Sequence, residues 1–133
     1  MAVNVMIVED DPVTLAVLQK RLQAIGCDIA ATADNAADAL AKFRETKPDL
    51  VTLDIQLPEI GGVDVVELFQ TMRKESYDTE IVVISGTAFP RYREIFRSGV
   101  IGFFQKPLHF DEVASLLRKY FPELKPYKGD RAF

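Results

Sequence analysis

Five short apolar runs, each followed by a longer amphipathic stretch, constrain the fold of this chain more than any other feature. Val5–Val8, Ile29–Ala31, Leu50–Leu53, Ile81–Ile84 and Ile101–Phe104 read as strands. Three of the five are nearly unbroken apolar runs, as expected of parallel strands covered on both faces by helices. Ile29–Ala31 carries the weakest pattern and is expected near an edge of the sheet. Leu15, Leu18, Leu22 and Ile25 repeat at spacings of 3, 4 and 3, the period of one helical face, and Gly26 follows as a stop. Ala36, Leu40 and Phe43 mark a second stripe that ends before Pro48, and Val65, Phe69 and Met72 mark a third. The fourth, around Pro90 to Ser98, is the least regular, with Ile95 and Phe96 as anchors and Gly99 at its end. Phe110, Val113, Leu117 and Tyr120 form the last, ended by Pro122.

Five such units with short connections predict an α/β fold, a doubly wound three-layer sandwich around one five-stranded parallel sheet. Right-handed crossovers leave few topologies, and the order 2-1-3-4-5 of flavodoxin-like folds is the expected one. Residues 1–121 are expected to form this domain. Residues 122–133, with Pro122, Pro126, Gly129 and several basic side chains, read as a tail or the start of a linker.

Composition then removes whole classes of chemistry. A formal net charge of -4 speaks against a nucleic-acid-binding surface. Cys27 is the only cysteine and His109 the only histidine, so an internal disulfide, a Cys-rich metal site and a Ser-His-Asp triad are all excluded. Cys27 is expected to be a packing or surface thiol, and His109 an exposed residue near the start of the last helix with no role. No apolar run approaches the roughly 20 residues of a membrane span, and the amino terminus lacks the basic flank of a secretory signal. A cytoplasmic protein without a membrane partner is expected.

Polar residues gather at the strand ends. Glu9, Asp10 and Asp11 follow the first strand, Asp54 ends the third, Ser85 the fourth, and Lys106 follows the fifth. In a parallel sheet these ends share one edge, where open α/β sheets bind ligands. In the order 2-1-3-4-5 strands one and three are neighbours, roughly 4.8 Å apart, which sets the acidic triplet beside Asp54. Strand four brings the short hydroxyl of Ser85 near. Strand five lies about two spacings away, roughly 10 Å, a gap that the long arm of Lys106 spans.

Carboxylates crowded together raise one another's pKa unless something positive intervenes. All-oxygen ligands suit a hard cation such as Mg²⁺, which takes one or two carboxylates plus waters and phosphate oxygens. Lys106 supplies a second positive charge. Such a site keeps Asp54 ionised and nucleophilic, and points to in-line attack by an Asp54 oxygen on phosphorus, giving an acyl phosphate.

Val8-Glu9-Asp10-Asp11, Asp54-Ile55-Gln56-Leu57-Pro58, Gly62, Ser85-Gly86 and Lys106-Pro107, in that order, resemble the CheY-like receiver domain of two-component response regulators. The likeness spans about residues 3 to 121. It implies Asp54 as phosphoacceptor, assisted by Lys106 and Ser85, with a sensor histidine kinase or histidine phosphotransfer protein as donor. It implies Mg²⁺ held by Asp10, Asp54 and the backbone carbonyl of Gln56, with Glu9 acting through water. Asp11 is the alternative ligand if the register of the triplet shifts by one. It also implies a population shift in which Ser85 moves toward the phosphoryl group and Phe103 turns inward. The face of helix four, strand five and helix five then changes for a downstream protein, and helices four and five could support a homodimer. Lys106-Pro107 is implied to be a cis peptide, and Gln56 and Thr87 to overhang the phosphoryl group and tune its hydrolysis.

Each of these residues also has a plain structural role open to it. Asp11 suits an N-cap ahead of Pro12 at the first helical position, and that reading is adopted for Asp11 alone. Asp54 could be a loop carboxylate, Ser85 a satisfier of backbone groups and Lys106 a surface lysine. Phe103 could be core as readily as switch, with Phe104 competing for the same space. What favours the functional reading is the co-occurrence of the set at successive strand ends.

The chain departs from the family pattern in three places. The segment from Ser85 to Lys106 is one residue shorter than is common, Val100 stands where alanine is usual, and Phe89-Pro90 stiffens the start of the fourth helix. All three fall on the signalling face. Two other functions compete with a signalling domain that is not an enzyme. A pseudo-receiver would act only as an interaction surface, against which the complete set of Glu9, Asp10, Asp54, Ser85 and Lys106 argues. An aspartyl-phosphate phosphatase of the haloacid-dehalogenase type needs a second carboxylate two residues after its nucleophile, where this chain has Gln56.

Overall fold

The computed structural model describes residues 2–58, 61–86 and 90–129, with the backbone alone at 90–92. Ten elements alternate along the chain: β1 (Val3–Val8), α1 (Pro12–Ala24), β2 (Cys27–Ala33), α2 (Ala36–Thr46), β3 (Leu50–Leu53), α3 (Val65–Glu75), β4 (Glu80–Ser85), α4 (Pro90–Phe96), β5 (Gly102–Gln105) and α5 (Phe110–Tyr120). The strands form one parallel sheet in the order β2-β1-β3-β4-β5. The winding reverses between β1 and β3, which is the switch point of a doubly wound sheet.

Strand alternation splits the core into two layers. Val3, Val5, Ile7, Leu50, Val82 and Ile84 face α1 and α5, whose Leu18, Leu22, Phe110, Val113 and Leu117 cover them. Met6, Val8, Val51, Leu53, Ile81 and Val83 face the other way, onto Phe43 of α2, Leu68 and Met72 of α3, and Phe96 of α4. Phe103 and Phe104 separate by the same rule: Phe103 packs on the α2–α4 side and Phe104 on the α1–α5 side. They do not compete for one space, because successive residues of a strand point to opposite faces.

The helix ends carry their own signals. Asp11 caps α1 by accepting from the Thr14 N–H at 3.2 Å, Asn35 caps α2 at the Asp38 N–H at 2.9 Å, and Asp64 caps α3 at the Glu67 N–H at 2.8 Å. Each satisfies one of the orphan donors of a first turn. Gly26, at φ 104°, turns the chain from α1 into β2. Lys47 ends α2 in the left-handed region at φ 48°, because Pro48 follows and forbids another helical turn.

β2 is longer than its apolar centre indicates. Asp28 and Thr32 interrupt the run, yet Cys27–Ala33 pairs with β1 at both ends, Ala30 apart. Among the described residues it has one neighbour strand, so its burial alternates and its polar residues are tolerated. The register jumps between Val5 and Met6, whose partners are Ile29 and Ala31, so Ala30 bulges out of the ladder. Cys27 is buried, and that burial pushes its thiol up to about 12, as expected of a packing cysteine.

The segment after α5 lies against the domain over its described residues. Leu124 inserts into the α1–α5 core at 3% exposure. The Lys125 N–H donates to the Ile25 carbonyl at 2.8 Å, and Arg118 Nε donates to the Leu124 carbonyl at 3.2 Å. Tyr127 meets Phe110 edge-on, with centroids 4.8 Å apart. Residues 130–133 lie outside the described residues.

Leu124→Ala is therefore expected to destabilise the protein by about 2–4 kcal/mol in urea unfolding. The exposed Val13→Ala should cost about 0.5 kcal/mol or less. Equal small effects at the two positions would show the segment after α5 to be a loose tail.

Candidate functional site

Pairing that runs one residue past each strand aims the site. The Glu9 N–H donates to the Ala33 carbonyl at 2.9 Å, the Asp54 N–H to the Val8 carbonyl at 3.0 Å, and the Lys106 N–H to the Ser85 carbonyl at 2.7 Å. These contacts fix the carboxyl edge of β1, β3 and β5 against their neighbours. The side chains then converge on the switch point between β1 and β3.

Glu9 and Asp54 are buried, at 2% and 3% exposure, while Asp10 is exposed. One oxygen from each of the three lies within 4.8 Å of the others. Lys106 Nζ sits 2.8 Å from Glu9 Oε1 and 3.4 Å from Asp54 Oδ2, crossing the width of β4 to do so. The second Asp54 oxygen, Oδ1, accepts from the Gln56 N–H at 2.8 Å. Lys106-Pro107 is a cis peptide. The Asp11 N–H donates to Glu9 Oε2 at 3.1 Å, while the Asp11 carboxylate turns to α1 and accepts from the Thr14 N–H and hydroxyl. Those bonds hold it below the usual carboxylate range.

Burial pushes Glu9 up to about 7; the Lys106 hydrogen bond pulls it down, and the adjacent Asp54 raises it again. For Lys106, burial lowers the pKa, but the hydrogen bond to Glu9 and the charges of Asp54 and Glu9 outweigh it, so the ammonium is held above its ordinary value. The site thus contains a fixed cation, and Glu9 holds its proton well above the usual carboxylate range.

Ser85 ends β4 at 4% exposure. Its hydroxyl lies 3.5 Å from Gln56 Oε1, which also accepts from the Gly86 N–H at 3.1 Å. The Gln56 side chain thus bridges the loop after β3 to the end of β4. Sequence reasoning assigned Gln56 a backbone carbonyl ligand and an overhanging side chain, and did not anticipate this bridge. No local pattern signals it, because the partner is 30 residues away. Phe103 is half-buried, with the Arg93 guanidinium 5.3 Å from its ring centroid. His109 is exposed at the start of α5 and makes no capping bond. Thr87 and Phe89 fall outside the described residues.

The family model for the response regulator receiver domain matches residues 5–118. The chain belongs to that family. Among curated relatives, this receiver domain is 30% identical to chemotaxis protein CheY of Thermotoga maritima over 120 residues, covering 90% of the chain and 98% of CheY. It is 30% identical to hybrid signal transduction histidine kinase L of Dictyostelium discoideum over 88% of the chain but only 7% of the kinase. It is 27% identical to the probable C4-dicarboxylate response regulator DctR of Bacillus subtilis over 94% of the chain and 53% of DctR. The chain thus spans a small part of one of these relatives, about half of another and nearly all of the third.

Solved structures share the receiver fold. A CheY-like receiver domain protein from Methanospirillum hungatei superposes with a TM-score of 0.81 at 22% identity, over 92% of this chain and 96% of that one. The CheX–CheY–BeF3–Mg²⁺ complex from Borrelia burgdorferi gives 0.79 at 24% identity, over 90% and 89%.

The folded receiver domain holds the Glu9 proton more tightly than the unfolded chain does, since the pKa rises from 4.5 to about 7. Stability is therefore expected to fall as pH rises from about 4.5 to about 7 and to level off above that. Urea titrations across this range should show the slope. Glu9→Gln should remove it, and Lys106→Met, which withdraws the lowering contact, should carry it to higher pH. A slope unchanged in Glu9→Gln would mean that another group titrates.

Proposed function

We propose that this receiver domain accepts a phosphoryl group on Asp54 from a sensor histidine kinase or a histidine phosphotransfer protein. The observation that carries the reading is the contact of one lysine with two buried carboxylates, one of which, Asp54, lies at the switch point of the sheet. Family membership supports it as well.

An Asp54 oxygen attacks phosphorus in line, forming an oxygen–phosphorus bond as the donor's nitrogen–phosphorus bond breaks. The donor imidazole, carrying a proton on its other ring nitrogen, keeps the electron pair and leaves as the neutral ring. Lys106 offsets the charge carried by the incoming group, and the Gln56 N–H orients Asp54 by holding Oδ1. The Ser85 hydroxyl and Gly86 N–H at the end of β4 are donors suited to phosphoryl oxygens once Gln56 Oε1 gives them up.

Glu9, Asp10 and Asp54 form an all-oxygen donor set of the size and charge that suits Mg²⁺, and the Gln56 carbonyl is the fourth ligand we assign. Glu9 acts through water or by its charge. When bound, Mg²⁺ would neutralise phosphoryl oxygens and offset the negative charge of its carboxylate ligands.

The output runs through α4, β5 and α5. Phosphoryl contacts at Ser85 favour a state in which Phe103 leaves its seat beside Arg93 and turns inward, presenting a changed face to a downstream protein. Residues 1–121 constitute the phosphoaccepting unit. The protein acts as a signalling component rather than an enzyme working on a separate substrate.

Incubation with acetyl phosphate, with and without Mg²⁺, followed by intact mass measurement tests the reading. One added phosphate is expected, dependent on the metal and absent in Asp54→Asn. Undiminished phosphorylation of Asp54→Asn would mean the nucleophile is another residue. No phosphate on the natural sequence would favour a pseudo-receiver instead.

Gln56→Ala should accelerate metal-dependent phosphorylation several-fold, since it removes the acceptor that competes with the incoming group for the Gly86 N–H. A rate equal to or below that of the natural sequence would show that the bridge does not compete.

A further inference from the structure

A cleft of about 890 Å³ opens between α1 and the segment that follows α5. One wall is a stripe of α1, Val17, Lys20, Arg21 and Ala24, at the spacing of a single helical face. The other wall is the chain from Lys125 to Gly129. The walls are fixed to each other by the Lys125 bond to the Ile25 carbonyl and by Tyr127, whose ring lies between Phe110 and the Arg21 guanidinium, 5.8 Å from its centroid. The cleft is therefore built before anything enters it.

Its charge runs against that of the whole protein. Lys20 and Arg21 stand on one wall, Lys125 and Lys128 on the other, and none of the described residues lining the cleft is acidic, in a chain of net charge -4. Lys20, Lys125 and Lys128 are exposed and make no ion pair among the described residues. Between them lie Val17, Ala24, Ile25 and Pro126, so an apolar strip is flanked by cations on both sides.

We propose that this cleft docks an acidic amphipathic peptide segment of a protein partner. A single apolar stripe bordered by carboxylates on both sides is the surface that complements the two walls. The volume lies within the roughly 300–1,000 Å³ of ligand-sized clefts, room for the side chains that anchor such a segment. A compact phosphate would be matched by cations converging on one point, whereas these are divided between walls with apolar residues in between. A nucleic-acid strand would use the cations but leave the apolar residues of the cleft unmatched.

The cleft lies at the far edge of the sheet from Asp54. The α1 helix begins beside the acidic site at Pro12 and runs back for 13 residues, about 20 Å. Docking there proceeds whether or not Asp54 carries a phosphoryl group, and it does not rest on the phosphorylation reading.

The test is fluorescence anisotropy of the intact chain with a labelled peptide of about 14 residues, roughly four helical turns, made of Glu, Leu and Ala with leucines at helical spacing. Saturable binding is expected. It should weaken about tenfold or more, 1.4 kcal/mol by the usual conversion, in a variant combining Lys125→Glu and Lys128→Glu. Lys20→Glu, on the opposite wall, should give an independent loss, and a peptide with Gln in place of Glu should bind as weakly. Since the three lysines are exposed, thermal unfolding of these variants should match that of the natural sequence. Absence of binding, or binding that charge reversal leaves intact, overturns the proposal. Equal competition by tripolyphosphate or by a single-stranded oligonucleotide also overturns it, because the cleft would then be a general anion site.

Discussion

Two carboxylates are buried side by side in this domain, and the arrangement depends on a lysine that reaches them from two and three strands away. Removing a charge from water costs several kcal/mol unless it is paired. Glu9 and Asp54 share one ammonium, and Glu9 still sits near 7. Lys106 therefore relieves the crowding without cancelling it. What remains is an excess of negative charge in a protected pocket, the condition in which a divalent cation and an electron-poor phosphorus both find a favourable place.

The fold makes that sharing feasible by ordering its strands. With β1 and β3 adjacent, the two carboxylates leave neighbouring strand ends; with β5 at the edge, a short side chain could not reach them. The ladder extensions at Glu9, Asp54 and Lys106 hold the three backbones in place without help from the loops. The loops hold the side chains: the Asp11 N–H donates to Glu9, the Gln56 N–H to Asp54, and the Gln56 amide ties the turn after β3 to the end of β4. Position and charge thus come from the sheet, while the resting state of the donors comes from a loop side chain.

Much of this was legible in the chain itself, because it rests on short-range periodicity. The five runs gave the strands, and the switch-point rule placed Glu9, Asp10, Asp54, Ser85 and Lys106 on one edge, where all five are found. Other features lacked a local signature. Asp28 and Thr32 shortened β2 on paper, since a strand with one neighbour keeps polar residues that a central strand would reject. Pro122, Pro126 and Gly129 make residues 122–133 read as a tail or the start of a linker, and the contacts of Leu124 and Tyr127 with the α1–α5 side form no repeat that the sequence displays. Phe103 and Phe104 looked like rivals because adjacency in sequence was weighed ahead of alternation along a strand. The Gln56 bridge joins residues 30 apart, beyond the reach of any motif.

The bulge at Ala30 bears on the outer margin of the sheet. A straight strand with open N–H and C=O groups is a template on which another chain can add and aggregation can begin. In β2 the slipped register twists that margin, and the carboxylate of Asp28 stands on it in solvent. The bulge, together with the exposed carboxylate that helped to hide β2 in the sequence, therefore disfavours self-propagating strand addition at this edge.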